Sequence, residues 1–205
     1  MSLINHFSLV AKTITTCTLI VSTVFISGLA QASWSLDGDN SSLYYVTSKA
    51  ASVSEVNSFG ALSGGISDEG RATVTIQLAS VDTAIEIRNE RMREILFQVS
   101  RFPLASVSID TDAEVLGSLT PGESRSISYE AVVELNGVSE PLELDLLITG
   151  QQDGGLLVTL SKPLIVHANT FGLAEGIEEL REIAGLPSIN NNVVIDFTLQ
   201  FDKMD

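Results

Sequence analysis

The chain has 205 residues, a formal net charge of −15, 44% hydrophobic residues and one cysteine. Such acidity argues against nucleic acid and anionic lipid head groups as partners, because like charge repels both. The length suits one domain with a sizeable core or an internal cavity.

Residues 1–32 carry one charged side chain, Lys12, then an uncharged run from Thr13 to Ala32 that ends in Ala30-Gln31-Ala32. A basic start, an apolar stretch and a small-x-small end predict a signal peptide cleaved before Ser33. The alternative is a retained membrane anchor, but Thr15, Thr16, Thr18, Ser22, Thr23 and Ser27 dilute the run. Cys17 does not read as a lipoprotein site, since Thr16 stands before it where Gly or Ala is expected. The domain is then 33–205, or 205 − 32 = 173 residues, and losing Lys12 takes the net charge from −15 to −16. No cysteine remains in it, so no disulfide supports it despite export. The expected location is periplasmic or secreted, with no stable membrane anchor after processing.

After the turn-like Asp37-Gly38-Asp39-Asn40, the β-branched and aromatic run Ser42–Ser48 predicts a strand, which Val53–Phe59 continues. Gly60 and Gly64-Gly65 break the pattern. Asp68-Glu69-Gly70 then turns into Ala72–Leu78, where Val74, Ile76 and Leu78 alternate with polar residues.

Ser80–Pro103 is the stretch that departs most from strand periodicity. At 100° per residue, Ile85, Arg88, Arg91, Met92, Ile95 and Leu96 fall within about 140° of one another, with Glu86, Glu90 and Glu94 opposite. Thr83 is the predicted N-cap, with Glu86 completing a capping box, and the helix stops before Phe102-Pro103. Two arginines on an apolar face need anionic or strongly hydrogen-bonding partners. Either an internal carboxylate such as Asp82 supplies them, or the head groups reach water, or a polar ligand group lies beside an apolar cavity.

Beyond Pro103 the chain is almost all of period two. Ser106–Asp110 is a short strand; Ile127, Tyr129, Ala131, Val133 and Leu135 mark one face of the next. Asn136-Gly137 predicts a type I′ hairpin turn, and Leu142, Leu144, Leu146 and Ile148 return. Gly150–Gly155 is a turn, Leu156–Leu160 and Leu164–His167 are strands, and Asn192–Phe201 closes the chain. Ala174–Ala184 reads as a second helix, with Ile177, Leu180, Ile183 and Ala184 on one side and Gly185 as its stop. About eight strands with one or two short covering helices predict a mainly β fold, an antiparallel eight-strand barrel, since closure removes exposed edges. A two-sheet sandwich competes; it would fill its interior, whereas such a barrel can hold one small ligand.

Residues 33–205 hold one histidine, His167, and no cysteine, which disfavours a transition-metal cluster. Neither a G-x-S-x-G elbow nor a G-x-x-x-x-G-K-[ST] loop occurs. Asp110-x-Asp112-x-Glu114 lacks the rest of a calcium loop and reads as a solvated acidic turn. His167 is either a structural, hydrogen-bonded histidine or a ligand contact. Nothing here supports a reaction, so neither an enzyme nor a cofactor is expected.

Four segments together resemble a known family. Ser80-Val81-Asp82-Thr83, Arg88-Asn89-Glu90-Arg91-Met92-Arg93, Leu96-Phe97 and Phe102-Pro103 resemble the central signature of the YceI-like family of exported polyisoprenoid-binding proteins. Trp34-Ser35-Leu36-Asp37 is similar to its opening motif, Ser58-Phe59 with Leu62-Ser63-Gly64 to its early Phe-and-Gly loop, and Phe171-Gly172-Leu173 to its late aromatic–glycine motif. The resemblance implies a lipocalin-like barrel closed over by a helix, with an isoprenoid tail or quinone as ligand, no catalysis and no cofactor; it leaves a homodimer open. Many members have Arg-Asp at Arg88-Asn89, a His at Arg91, and Arg-x-Asp-Phe-Gly where this chain has Ala168-Asn169-Thr170-Phe171-Gly172. Those departures leave a neutral quinone or polyprenol on a par with a pyrophosphate head group. The ligand-binding candidates are Phe59, Met92, Phe97 and Phe171 for the lining, with Arg88, Arg91, His167 and Asn169 for the head group. Two alternatives remain: an enzyme using Arg88 or Arg91 as electrostatic stabiliser on such a lipid, and a filled sandwich serving adhesion or glycan binding.

Overall fold

The computed structural model describes residues 32–50 and 52–204. The predicted signal peptide lies outside them, apart from Ala32. Among the described residues the strands are β1 (Ala32–Lys49), β2 (Val53–Phe59), β3 (Leu62–Ser67), β4 (Arg71–Gln77), β5 (Val81–Asp82), β6 (Leu104–Asp110), β7 (Ser124–Leu135), β8 (Val138–Gly150), β9 (Leu156–Leu160), β10 (Leu164–His167) and β11 (Asn192–Lys203). Three short helices accompany them: α1 (Glu86–Arg91), α2 (Ala113–Gly117) and α3 (Ala174–Ile183).

All the pairings are antiparallel, and eight strands form a ring in the order β1, β3, β4, β6, β7, β8, β9, β11, closed by β11 on β1. The sandwich alternative is thereby overturned, because two separate sheets would leave those last two strands unpaired with each other. β1 and β11 outrun the ring. Beyond it β2 takes over from β3 along β1, at Val46↔Val56, and β10 takes over from β9 along β11, at Ile195↔Leu164.

At one end of the ring lie the start of β1 (Trp34↔Lys203), the β3–β4 turn, the end of β6 (Arg71↔Asp110) and the β8–β9 turn (Gly150↔Leu156). α2 joins β6 to β7, which stands across the ring from β1. Nevertheless a Cβ on Gly117 would lie 3.8 Å from the Trp34 ring, so α2 spans the barrel end. Leu116 beneath it is 2% exposed. The opposite end carries α1 and α3, and α3 packs so closely on the turn that follows α1 that a Cβ on Gly176 would come within 3.1 Å of the Ile95 carbonyl oxygen.

Several local expectations need correction. Asp37–Asn40 is a bulge inside β1 rather than a turn before it: the register shifts there, and the Asp37 carboxylate accepts from the Asp39 and Asn40 amides at 3.0 and 3.1 Å. β2 does not continue β1 but returns alongside it. Gly64 sits within β3, at φ 154°, because a Cβ there would lie 2.1 Å from the Thr73 carbonyl oxygen of β4. The Asn136-Gly137 turn forms with φ 54° and 76°, as a type I′ turn requires. α2 is a third helix the pattern did not reveal. Asp112 caps it, accepting from the Glu114 and Val115 amides at 3.0 and 3.1 Å, while Asp110 pairs with Arg71 at 2.8 Å.

Candidate ligand-binding site

An apolar cavity of about 410 Å³ occupies the barrel. Alternate residues of the strands face it, as in Ile195, Phe197, Leu199 and Phe201 along β11 and Leu142, Leu144, Leu146 and Ile148 along β8. Period two explains this directly, since every second side chain of a ring strand points inward. Its charged wall residues are Lys49, Glu55, Arg88 and Arg91, all at the end that carries α1 and α3. Leu116 lies on the wall at the other end.

α1 does not begin as predicted. Ile85 is its N-cap, with extended backbone and no side-chain cap, and is 48% exposed. Thr83 instead turns inward, donating to the Asn89 Oδ1 from its amide at 2.8 Å and from its hydroxyl at 2.6 Å. Both residues are buried, which is why this pair forms in place of a capping box. After Arg91 the helix widens into a π turn, Met92–Leu96, in which the Phe97 amide donates to the Met92 carbonyl at 2.9 Å. The helical run therefore stops at Leu96, well before Phe102-Pro103. Widening places Met92, Leu96 and Phe97 all on the cavity wall.

Arg88 finds a protein partner, and it is not Asp82. Its Nη1 donates to Glu55 at 2.6 Å, its Nε to the Thr83 hydroxyl at 2.9 Å and its Nη2 to the Thr83 carbonyl at 2.7 Å. Lys49 donates to the same Glu55 oxygen at 2.7 Å. The hydrogen bond from Lys49, with Arg88 adding to it against a smaller effect of burial, holds the Glu55 carboxyl below the usual carboxylate range. The Arg91 guanidinium, also on the wall, has no ion-pair or hydrogen-bonding partner among the described residues.

Six of the eight predicted ligand residues meet on the wall: Phe59, Arg88, Arg91, Met92, Phe97 and Phe171. The structure does not bring His167 or Asn169 there. β10 turns Leu164 and Val166 inward, so His167 faces out, where its Nδ1 hydrogen-bonds Asn192 Oδ1 at 2.6 Å. Asn169 is exposed on the turn whose buried members are Ala168 and Phe171. Sequence reasoning missed Tyr45, whose ring lies 5.3 Å from Phe59, which in turn lies 5.7 Å from Phe97. Burial pushes the Tyr45 hydroxyl's pKa up, and that hydroxyl meets the Met92 sulfur at 3.8 Å. Adjacent Tyr44 and Tyr45 hid which one points inward. Glu55 was missed because nothing in the sequence couples β2 to α1.

Closed antiparallel barrels with an apolar hollow form a class built to enclose a hydrophobic ligand. A model of the YceI-like domain matches residues 34–201, and the chain belongs to that family. Among solved structures, it is similar to a polyisoprenoid binding domain from Saccharophagus degradans implicated in plant cell wall breakdown, at 34% identity and a TM-score of 0.83, covering 85% of this chain and 100% of that one. BcnA of Burkholderia cenocepacia shares the fold at 18% identity and a TM-score of 0.60, over 80% of this chain and 98% of its own. The YceI protein of Campylobacter jejuni does so at 15% and 0.54, over 73% and 85%. No curated protein matches the chain.

Proposed function

We propose that this chain is an exported binding protein, not an enzyme, that holds an isoprenoid lipid, a polyprenyl compound or the tail of a ubiquinone-like molecule, for transport, storage or stress protection. One observation carries the reading: the cavity wall is aliphatic and aromatic along its depth, with charge confined to one end. At about 410 Å³ the cavity falls within the range of roughly 300–1,000 Å³ that ligand pockets occupy. Each five-carbon unit moved from water into it gains about 3–4 kcal/mol before ordering costs. Likeness to the Saccharophagus degradans polyisoprenoid binding domain supports the same ligand class.

The tail lies in the barrel and the head group at the charged end. Because Arg88 is already satisfied by Glu55 and Thr83, Arg91 is the group left to meet a ligand oxygen. A single guanidinium suits a quinone carbonyl or a prenol hydroxyl better than a pyrophosphate, which needs several cations. Native mass spectrometry and solvent extraction of the protein from a producing host are expected to recover an isoprenoid. Repeated recovery of empty protein that also fails to take up added prenols would overturn the reading. Export is checked separately, by fractionating the cells and finding a product that begins at Ser33.

A further inference from the structure

Resting on the isoprenoid reading, we infer that Leu116 on α2 is the floor of the cavity and sets the length of tail it accepts. α2 is held across the barrel end at several points. The Thr111 amide and hydroxyl both donate to the Gly70 carbonyl at 2.7 Å, fixing the entry to α2 against the β3–β4 turn. Gly70 has φ 85°, and a Cβ on it would lie 2.2 Å from the Thr111 carbonyl oxygen, so the two backbones meet without room for a side chain. Asp112 caps the helix, Gly117 approaches Trp34 on the far strand, and Trp34 is anchored by its own Nε1–H donating to the Gly154 carbonyl at 2.9 Å.

The floor is therefore braced by both sides of the ring, while the roof is made of separate helices. Leu116 is the residue of α2 on the cavity wall. A tail entering from the charged end runs down the barrel until it meets this side chain, and the backbone behind it has no freedom to recede. Tight packing makes a single methylene count at such a stop. Chain length is then measured from Arg91 at one end to Leu116 at the other.

The test offers the purified protein an equimolar ladder of all-trans prenols differing by single isoprene units and reads the bound lengths by native mass spectrometry. Leu116→Ala removes three carbons, so the preferred length is expected to rise by about one unit; Leu116→Phe is expected to shorten it by about one. Leu104→Ala, on the outer face at 50% exposure, is expected to leave the distribution unchanged. Far-UV circular dichroism confirms folding, and if Leu116→Ala unfolds, Leu116→Val gives the same direction with less truncation. Bound prenols whose lengths match the wild type in both the truncated and the Leu116→Phe proteins overturn the inference while leaving the isoprenoid reading intact. A wild-type protein that binds no prenol overturns that reading and the inference with it.

Discussion

Arg88 works as a structural cation more than a recognition element. Its three hydrogen bonds reach β2 through Glu55 and the β5–α1 junction through Thr83, so one side chain ties both to α1. Replacing it with Ala is expected to cost about 1–2 kcal/mol, since the ion pair is only half-buried, and to lower Tm by roughly 2–8 °C. Asn89→Ala is expected to cost about as much or more, because it strands the buried Thr83 amide, whereas Asn89→Asp keeps an acceptor in place and should retain most of the stability. Thermal melts of the three variants check this ordering. Glu55 also predicts a pH dependence. Its carboxyl titrates lower in the folded chain than its ordinary value of 4.5, so the unfolded chain binds more protons near that pH. The stabilisation is present above about pH 4.5 and is lost as the pH falls through the lowered folded value. Tm should fall on acidification there, with a shallower fall in Glu55→Gln; an unchanged slope would remove Glu55 from the explanation.

The roof is an element-level contact between α3 and the π turn after α1. Gly176 permits it: a Cβ there would sit 3.1 Å from both the Ile95 oxygen and the Leu96 Cα. Gly176→Val is expected to lift α3, raising amide exchange along Ala174–Ile183 and speeding ligand release, while the strands keep their protection. Hydrogen exchange with mass spectrometry reads both. Gly64 is the contrasting case within a sheet, where the added Cβ would meet the Thr73 carbonyl oxygen itself. Gly64→Ala should therefore destabilise far more than Gly60→Ala, whose added Cβ would lie 3.9 Å from its nearest neighbour, the Ser80 carbonyl oxygen. The two helices over the charged end differ in how they were read. α3 was visible because Ile177 and Leu180 recur at helical spacing and Gly185, at φ 61°, stops the helix. α1 was misplaced at its start, because capping-box spacing says nothing about whether the Thr is drawn away by a buried Asn.

For the whole molecule, an apolar hollow should make ligand a stabiliser. A prenol present at a hundredfold excess over its Kd is expected to add about 2.7 kcal/mol, visible as a rise in Tm of several degrees. The processed chain would carry a net charge of −16, the −15 of the full chain less Lys12, and compacts that charge on folding. Added salt should raise its Tm modestly by screening, and reductant should leave it unchanged, since cysteine is absent from 33–205.

Alternation of apolar and polar residues is local, so the strands, the Asn136-Gly137 hairpin and the inward set on β8 and β11 could be read without coordinates. The motif order across 34–201 likewise placed the family. That the strands close into a ring could be argued from their number, but which two meet could not, because the pairing of β11 with β1 joins segments some 150 residues apart and leaves no mark on either. The same holds for the partner of Arg88, the outward turn of His167 and the span of α2 from β6 to Trp34. Each depends on which distant backbone stands opposite, and a hollow exists only once eight strands have agreed on a ring too wide for their side chains to meet.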